Sequence, residues 1–126
     1  MSIPATNSHT GFPSPADDYL QGALDLNEYL VHHRESTFFF RAKGNSMTAA
    51  GISDGDLLVV DKSITPSSGN IVVAVIDGEL TVKRIVTQGE SYVLKAEGDI
   101  TDTIQFKDGQ ELQIWGVVTS VIRKLI

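Results

Sequence analysis

The chain has no cysteine among its 126 residues. Disulfides and thiolate metal sites are thereby excluded, and a reducing cytoplasm is the expected compartment. Basic side chains are few: ten Lys and Arg against sixteen Asp and Glu leave a net charge of −6. Such a chain does not grip phosphates through a broad basic face, so little direct nucleic-acid binding is expected. Any work near DNA would need another protein to do the holding. The three histidines make a poor ligand set, because His32 and His33 are adjacent and His9 lies in a polar N-terminal stretch. Neither a metal nor a cofactor is expected. Asp54-Gly55-Asp56 reads as a turn without the later ligands of a calcium loop, and Gly44 starts no phosphate-binding loop. No apolar run is long enough to span a bilayer, and the first residues lack the charged and apolar regions of a signal peptide. A soluble protein with no membrane contact is expected.

The length fits one domain, able to bury about two-thirds of its unfolded surface. Residues 1–15 mix Ser, Thr, Asn, His and Pro with scattered apolar positions, so 1–23 is expected to be a mobile N-terminal arm ahead of a domain over 24–126. Asp25 with Glu28 three residues on fits a capping box. Leu26, Tyr29 and Leu30 then share one helical face, which should cover one end of the core. From Thr37 onward the chain reads as strands. Phe38-Phe39-Phe40 is strongly β-favouring, and 57–60 is a short apolar run between turn signals. Residues 71–76 and 79–86 flank Asp77-Gly78, a strong hairpin signal. Further strands are expected at 91–96, 103–106 and 111–122, the last carrying Trp115 at an inner or interface position. The long Val- and Ile-rich run at its C-terminal end would offer a strand edge suited to two-fold pairing. The fold class is therefore mainly β, a compact domain with one or two short helices and a flexible N-terminal arm.

The chemistry gathers at Ala42-Lys43-Gly44-Asn45-Ser46-Met47, read together with Lys83. Gly44-Asn45 supplies tight-turn chemistry, and Ser46 would stand at the start of a single helical turn over 47–50, where unpaired N–H groups collect. Such groups cap a structure or stabilise an oxyanion. A serine hydroxyl needs a base, and a neutral lysine can serve. Free lysine titrates near about 10.4, so a lysine base at neutral pH must be desolvated or set beside positive charge, at a cost of about 4 kcal/mol. Lys83 sits in the apolar strand Leu80-Thr81-Val82-Lys83-Arg84-Ile85-Val86, which offers burial, with Arg84 turned to the opposite face. On pattern alone, a serine after glycine is more often a cap or turn residue, and a strand lysine is more often solvated.

Gly44-Asn45-Ser46-Met47, the stretch 52–61 and Glu79-Leu80-Thr81-Val82-Lys83-Arg84 together resemble the LexA/UmuD family of self-cleaving Ser-Lys peptidases, whose domain is β-rich and signal-peptidase-like. Gly11-Phe12-Pro13-Ser14-Pro15 and the Ala16-Asp17-Asp18-Tyr19 that follows resemble the UmuD branch, accessory subunits of error-prone translesion DNA polymerase V. The resemblance runs from about Gly11 to the C-terminus. It implies Ser46 as nucleophile, Lys83 as general base, and a cut between Thr10 and Gly11. It also implies a cut stimulated by the RecA filament on single-stranded DNA, a homodimer, and a Y-family (UmuC-like) polymerase as partner. One departure stands out: relatives usually carry Cys or Ala where Thr10 stands. The extra methyl and hydroxyl predict cleavage slowed about 10- to 200-fold. The rival reading is a dimeric binding module for the polymerase that does not cleave. A LexA-like repressor would need a DNA-binding domain ahead of the cut, and ten residues cannot fold into one.

Overall fold

The computed structural model describes residues 16, 22–98, 103, 104 and 112–126. A short helix α1 (Leu26–Leu30) and a 3₁₀ turn (Arg34–Ser36) lead into β1 (Thr37–Arg41), followed by a second 3₁₀ turn (Thr48–Ala50) and β2 (Leu57–Asp61). The remaining strands are β3 (Ile71–Ile76), β4 (Glu79–Gln88), β5 (Ser91–Lys95), β6 (Thr103–Ile104) and β7 (Leu112–Ile122). They form one seven-stranded sheet in the order β1-β2-β7-β3-β4-β5-β6, with antiparallel neighbours throughout. The expected β-rich class is the one observed. Among the described residues no helix is long and apolar enough to cross a membrane.

The best-specified element is the β3–β4 hairpin. Ile76 pairs with Glu79 across a two-residue loop in which Asp77 and Gly78 have φ of 48° and 84°. Two consecutive positive φ values define the turn whose twist matches the strands, and Asp-Gly adopts it at low cost. β3 reads Ile-Val-Val-Ala-Val-Ile without alternation because both of its faces are covered. Val73 joins a core cluster with Ala42, Met47, Ile52, Leu58 and Val60. Val72 and Ala74, on the other face, pack with Ile85, Leu94 and Val117.

One expectation needs correction, and two others are sharpened. β7 is central in the strand order, yet residues 118–122 pair with β2 alone, so along this C-terminal run the other edge meets no strand among the described residues. Its N-terminal half pairs with β3 (Ile76↔Leu112 to Val72↔Val117) and its C-terminal half with β2 (Asp61↔Val117 to Leu57↔Ile122), which places it at the centre of the sheet order. Gly116 lies at this changeover, where a Cβ would come within 2.6 Å of Val60 Cγ1. Secondly, α1 does not cap the core: Leu26 and Tyr29 are 57% and 63% exposed. Five residues are too few to bury a stripe, and local bonds hold the helix instead. Asp25 Oδ1 accepts the Asn27 N–H at 2.9 Å, and His32 Nε2 lies 3.0 Å from the Tyr29 carbonyl oxygen. Thirdly, β6 covers Thr103–Ile104, while Gln105 and Phe106 lie outside the described residues. Trp115 is half-buried, tilted against Phe38 and edge-on to Phe40 at centroid distances of 5.1 and 5.2 Å, with the Lys62 ammonium 4.5 Å above its ring.

Two buried carboxylates tie distant segments together. Asp56 receives Arg123 at 2.6 and 2.7 Å and the Ser53 amide at 2.7 Å. The Arg123 hydrogen bonds, then the Ser53 amide, outweigh burial and hold the Asp56 carboxyl down at about 2. For Asp61, burial pushes the carboxyl up, but the Ser63 hydroxyl, His33 and the Ser63 amide together overcome it and bring it to about 2. Both pKa values are depressed on folding. Their contribution is therefore complete above about pH 4 and lost as pH falls from about 4 to about 2. Urea midpoints are expected to drop across that window, and Asp61→Asn to flatten the drop. A midpoint that is flat between pH 4 and 2 would refute this account.

Candidate active site

Ser46 is exposed on a turn whose neighbours are firmly held. Gly44, in the left-handed region at φ 82°, donates its N–H to Asp54 Oδ1 at 2.7 Å. Ala42 and Gly55 exchange strand-like bonds with the 54–56 turn: Ala42 N–H to Asp56 O and Gly55 N–H to Ala42 O, both 2.8 Å. Met47 then plugs the core at 3% exposure, and its carbonyl accepts the Ala50 and Ile52 amides. A buried apolar residue directly after the serine thus fixes the turn while its neighbour faces out. The expected helical turn is present as the 3₁₀ segment Thr48–Ala50. Among the described residues the Ser46 and Met47 amides have no hydrogen-bond acceptor.

Strand β4 approaches the same turn. Lys43, Gly44 and Ser46 line a cleft of about 360 Å³ with Leu80, Thr81 and Val82, floored by Leu58 and Val73. Lys83 is the next residue along β4. It is paired with Val72, on the face that also buries Ile85, and is only 9% exposed. Arg84 turns to the other face, as alternation requires. Among the described residues no hydrogen bond joins the Ser46 hydroxyl to Lys83. What the fold brings together is the serine turn and the strand segment immediately before the lysine. Thr10 and Gly11 lie outside the described residues.

A third segment, absent from the sequence reading, completes the site. Ile85 directs its N–H and C=O to Asn70 and Gly69, so Arg84 directs its own toward its partner Lys95 on β5. Two residues past Lys95, the same-side groups of Glu97 would meet β4 if pairing continued. Instead the Glu97 N–H donates to Ser46 O at 2.8 Å, and the Ala49 N–H donates to Glu97 O at 2.6 Å. The Glu97 carboxylate pairs with Arg84 through both oxygens: Nε meets Oε2, and Nη2 donates to Oε1 at 3.1 Å. Arg84 Nη1 also reaches Gly69 O at 2.7 Å. The Arg84 hydrogen bonds, against burial, hold the Glu97 carboxyl below the usual range. The sole sequence signal was a charged residue followed by glycine at the end of an apolar strand.

Residues 4–119 match the Peptidase S24-like family, and the chain belongs to that family. Protein ImpA of Salmonella typhimurium is 44% identical over 122 residues, covering 95% of this chain and 81% of ImpA. Protein MucA of Escherichia coli is 45% identical over 109 residues, covering 86% of this chain and 75% of MucA. Protein SamA of Salmonella typhimurium strain LT2 is 46% identical over 114 residues, covering 90% and 79%. These relatives are of the UmuD type, the branch that the 11–19 segment resembles.

Proposed function

We propose that this chain is a UmuD-like protein of SOS mutagenesis that cuts off its own N-terminal arm between Thr10 and Gly11. The reading rests on one observation above all. In a member of the S24-like family, an exposed serine sits on a rigid turn beside the strand that carries a buried lysine. Lys83, neutral in the competent state, takes the Ser46 proton as Oγ attacks the Thr10 carbonyl carbon. The negative oxygen that forms is met by the Ser46 amide and a neighbouring N–H. As the C–N bond to Gly11 breaks, Lys83 returns its proton to the leaving amine. Water then attacks the Thr10 ester, releasing Ser46 and a carboxylate. Arm 1–23 must bend into the cleft first, and the low population of that state throttles the reaction. The RecA filament on single-stranded DNA raises that population. The trimmed chain then acts as a homodimeric accessory subunit of a Y-family polymerase in the cytoplasm.

Incubation of the full chain at about pH 10, where lysine is increasingly neutral, tests the cut directly. The expected product is a fragment beginning at Gly11. An intact mass after prolonged incubation, with and without RecA on single-stranded DNA, would refute self-cleavage and assign the chain to the rival reading, a dimeric binding module.

A further inference from the structure

We propose that Arg84, Glu97 and Gly98 form a clamp that sets the position of Ser46, making them positioning residues for self-cleavage. The inference rests on the proposed reaction but concerns residues outside the Ser-Lys pair. Three contacts converge on the serine turn. The Glu97 backbone grips it at both ends, by the N–H to Ser46 O at 2.8 Å and by the C=O accepting the Ala49 amide at 2.6 Å. The Glu97 side chain is pinned to β4 by the two-point Arg84 pair, and Arg84 is itself braced on Gly69 O at 2.7 Å. Gly98 lies flat against the turn: a Cβ there would overlap the Asn45 carbonyl oxygen and stand 3.1 Å from Ser46 Cα.

The consequence is geometric. Lys83 and Arg84 are consecutive on β4 and point to opposite faces. One strand therefore carries the base on one side and, on the other, the anchor for the segment that carries the nucleophile. A movement of β4 would carry the base and this anchor together. The remaining backbone contacts of the turn, through Met47 and Gly44, join it to the 42–56 loop and not to β4. The Arg84–Glu97 pair is thus the polar side-chain link between the nucleophile's turn and the base's strand, beside the apolar packing of Val82 against the cluster that holds Met47. Displacing a reacting group by about 1 Å costs about 100-fold in rate, so the link has a measurable role.

The test uses the full chain with Glu97→Gln, Gly98→Ala, Arg84→Glu, Glu97→Arg and the charge-swapped double variant. Two readouts are followed: the first-order cleavage rate against pH, and amide exchange at Ala49, Glu97 and, as a fold control, Val73. In Glu97→Gln the Ala49 and Glu97 amides should exchange at least about tenfold faster while Val73 is unchanged. Cleavage should slow about 10- to 100-fold at every pH, with the midpoint of the pH profile unmoved because it belongs to Lys83. Gly98→Ala should do the same without touching the charge pair, and the double swap should recover most of the rate lost in either single variant. Wild-type cleavage in Glu97→Gln and Gly98→Ala, or unchanged exchange at Ala49 and Glu97, overturns the clamp. A shifted pH midpoint also overturns it, since the pair would then act on the base. Failure of the unsubstituted chain to cleave sinks the peptidase reading instead, and the clamp then stands or falls on amide exchange alone.

Discussion

Lys83→Met and Lys83→Arg are both expected to stop release of the Gly11 fragment at every pH, with losses of more than about 10³-fold. Methionine matches the unbranched lysine stem closely in volume, so the strand opposite Val72 should still pack. Arginine keeps a positive charge but holds its proton throughout the accessible range. The two variants separate a base from a mere cation: a role in binding or in local charge would survive Lys83→Arg. Ser46→Ala should match both, because nucleophile and base act as one unit and their losses do not add. Mass spectrometry over days at about pH 10 and at neutral pH with RecA on single-stranded DNA gives the readout. Persistent cleavage in Lys83→Met would remove the lysine from the chemistry. Melting temperatures close to that of the unsubstituted chain are required for the comparison to count.

Leu58→Ala is expected to cost about 2–5 kcal/mol of stability, lowering the melting temperature by about 10 °C or more. Leu58 is fully buried and belongs to the same core cluster as Met47, Ala42, Ile52 and Val73. The loss exceeds the transfer free energy of the deleted carbons, because backbone pairing on both sides of β2 prevents collapse into the space. The void would open beneath the cleft that Ser46 lines, next to the residue that anchors its turn. Cleavage should therefore slow at temperatures where the variant is still folded. Calorimetry and cleavage rates at 20 °C check the two parts. A loss below about 1 kcal/mol would mean that the site relaxes far more than its strand pairing allows.

Much of the architecture was legible because it is decided locally. Asp77-Gly78 specifies its own turn, and the hairpin register follows from it down to Lys83 and Val72. The serine turn was partly readable: Gly44-Asn45 marks a tight turn, where Gly44 takes φ of 82°, but the structure alone shows Met47 buried beside the exposed Ser46. Other features depend on residues far apart. Arg123 reaches Asp56 across 67 positions, and His33 lies 2.7 Å from Asp61 across 28. Nothing in either neighbourhood names its partner. The Val- and Ile-rich run of β7 shows that it pairs, and not that β3 takes one side of its first half while β2 takes the other side of its second.

The sequence by itself determined which segments are strands and where the tight turns fall, and it singled out Ser46 and Lys83 as candidates through the family resemblance. The strands and turns follow from backbone preferences and side-chain periodicity within a few residues. Only the tertiary structure decided that β7 runs through the middle of the sheet, that α1 lies exposed, and that Glu97 takes hold of the Ser46 turn. Strand order and cross-chain contacts are set by how whole faces pack, a competition among distant segments that no local pattern resolves.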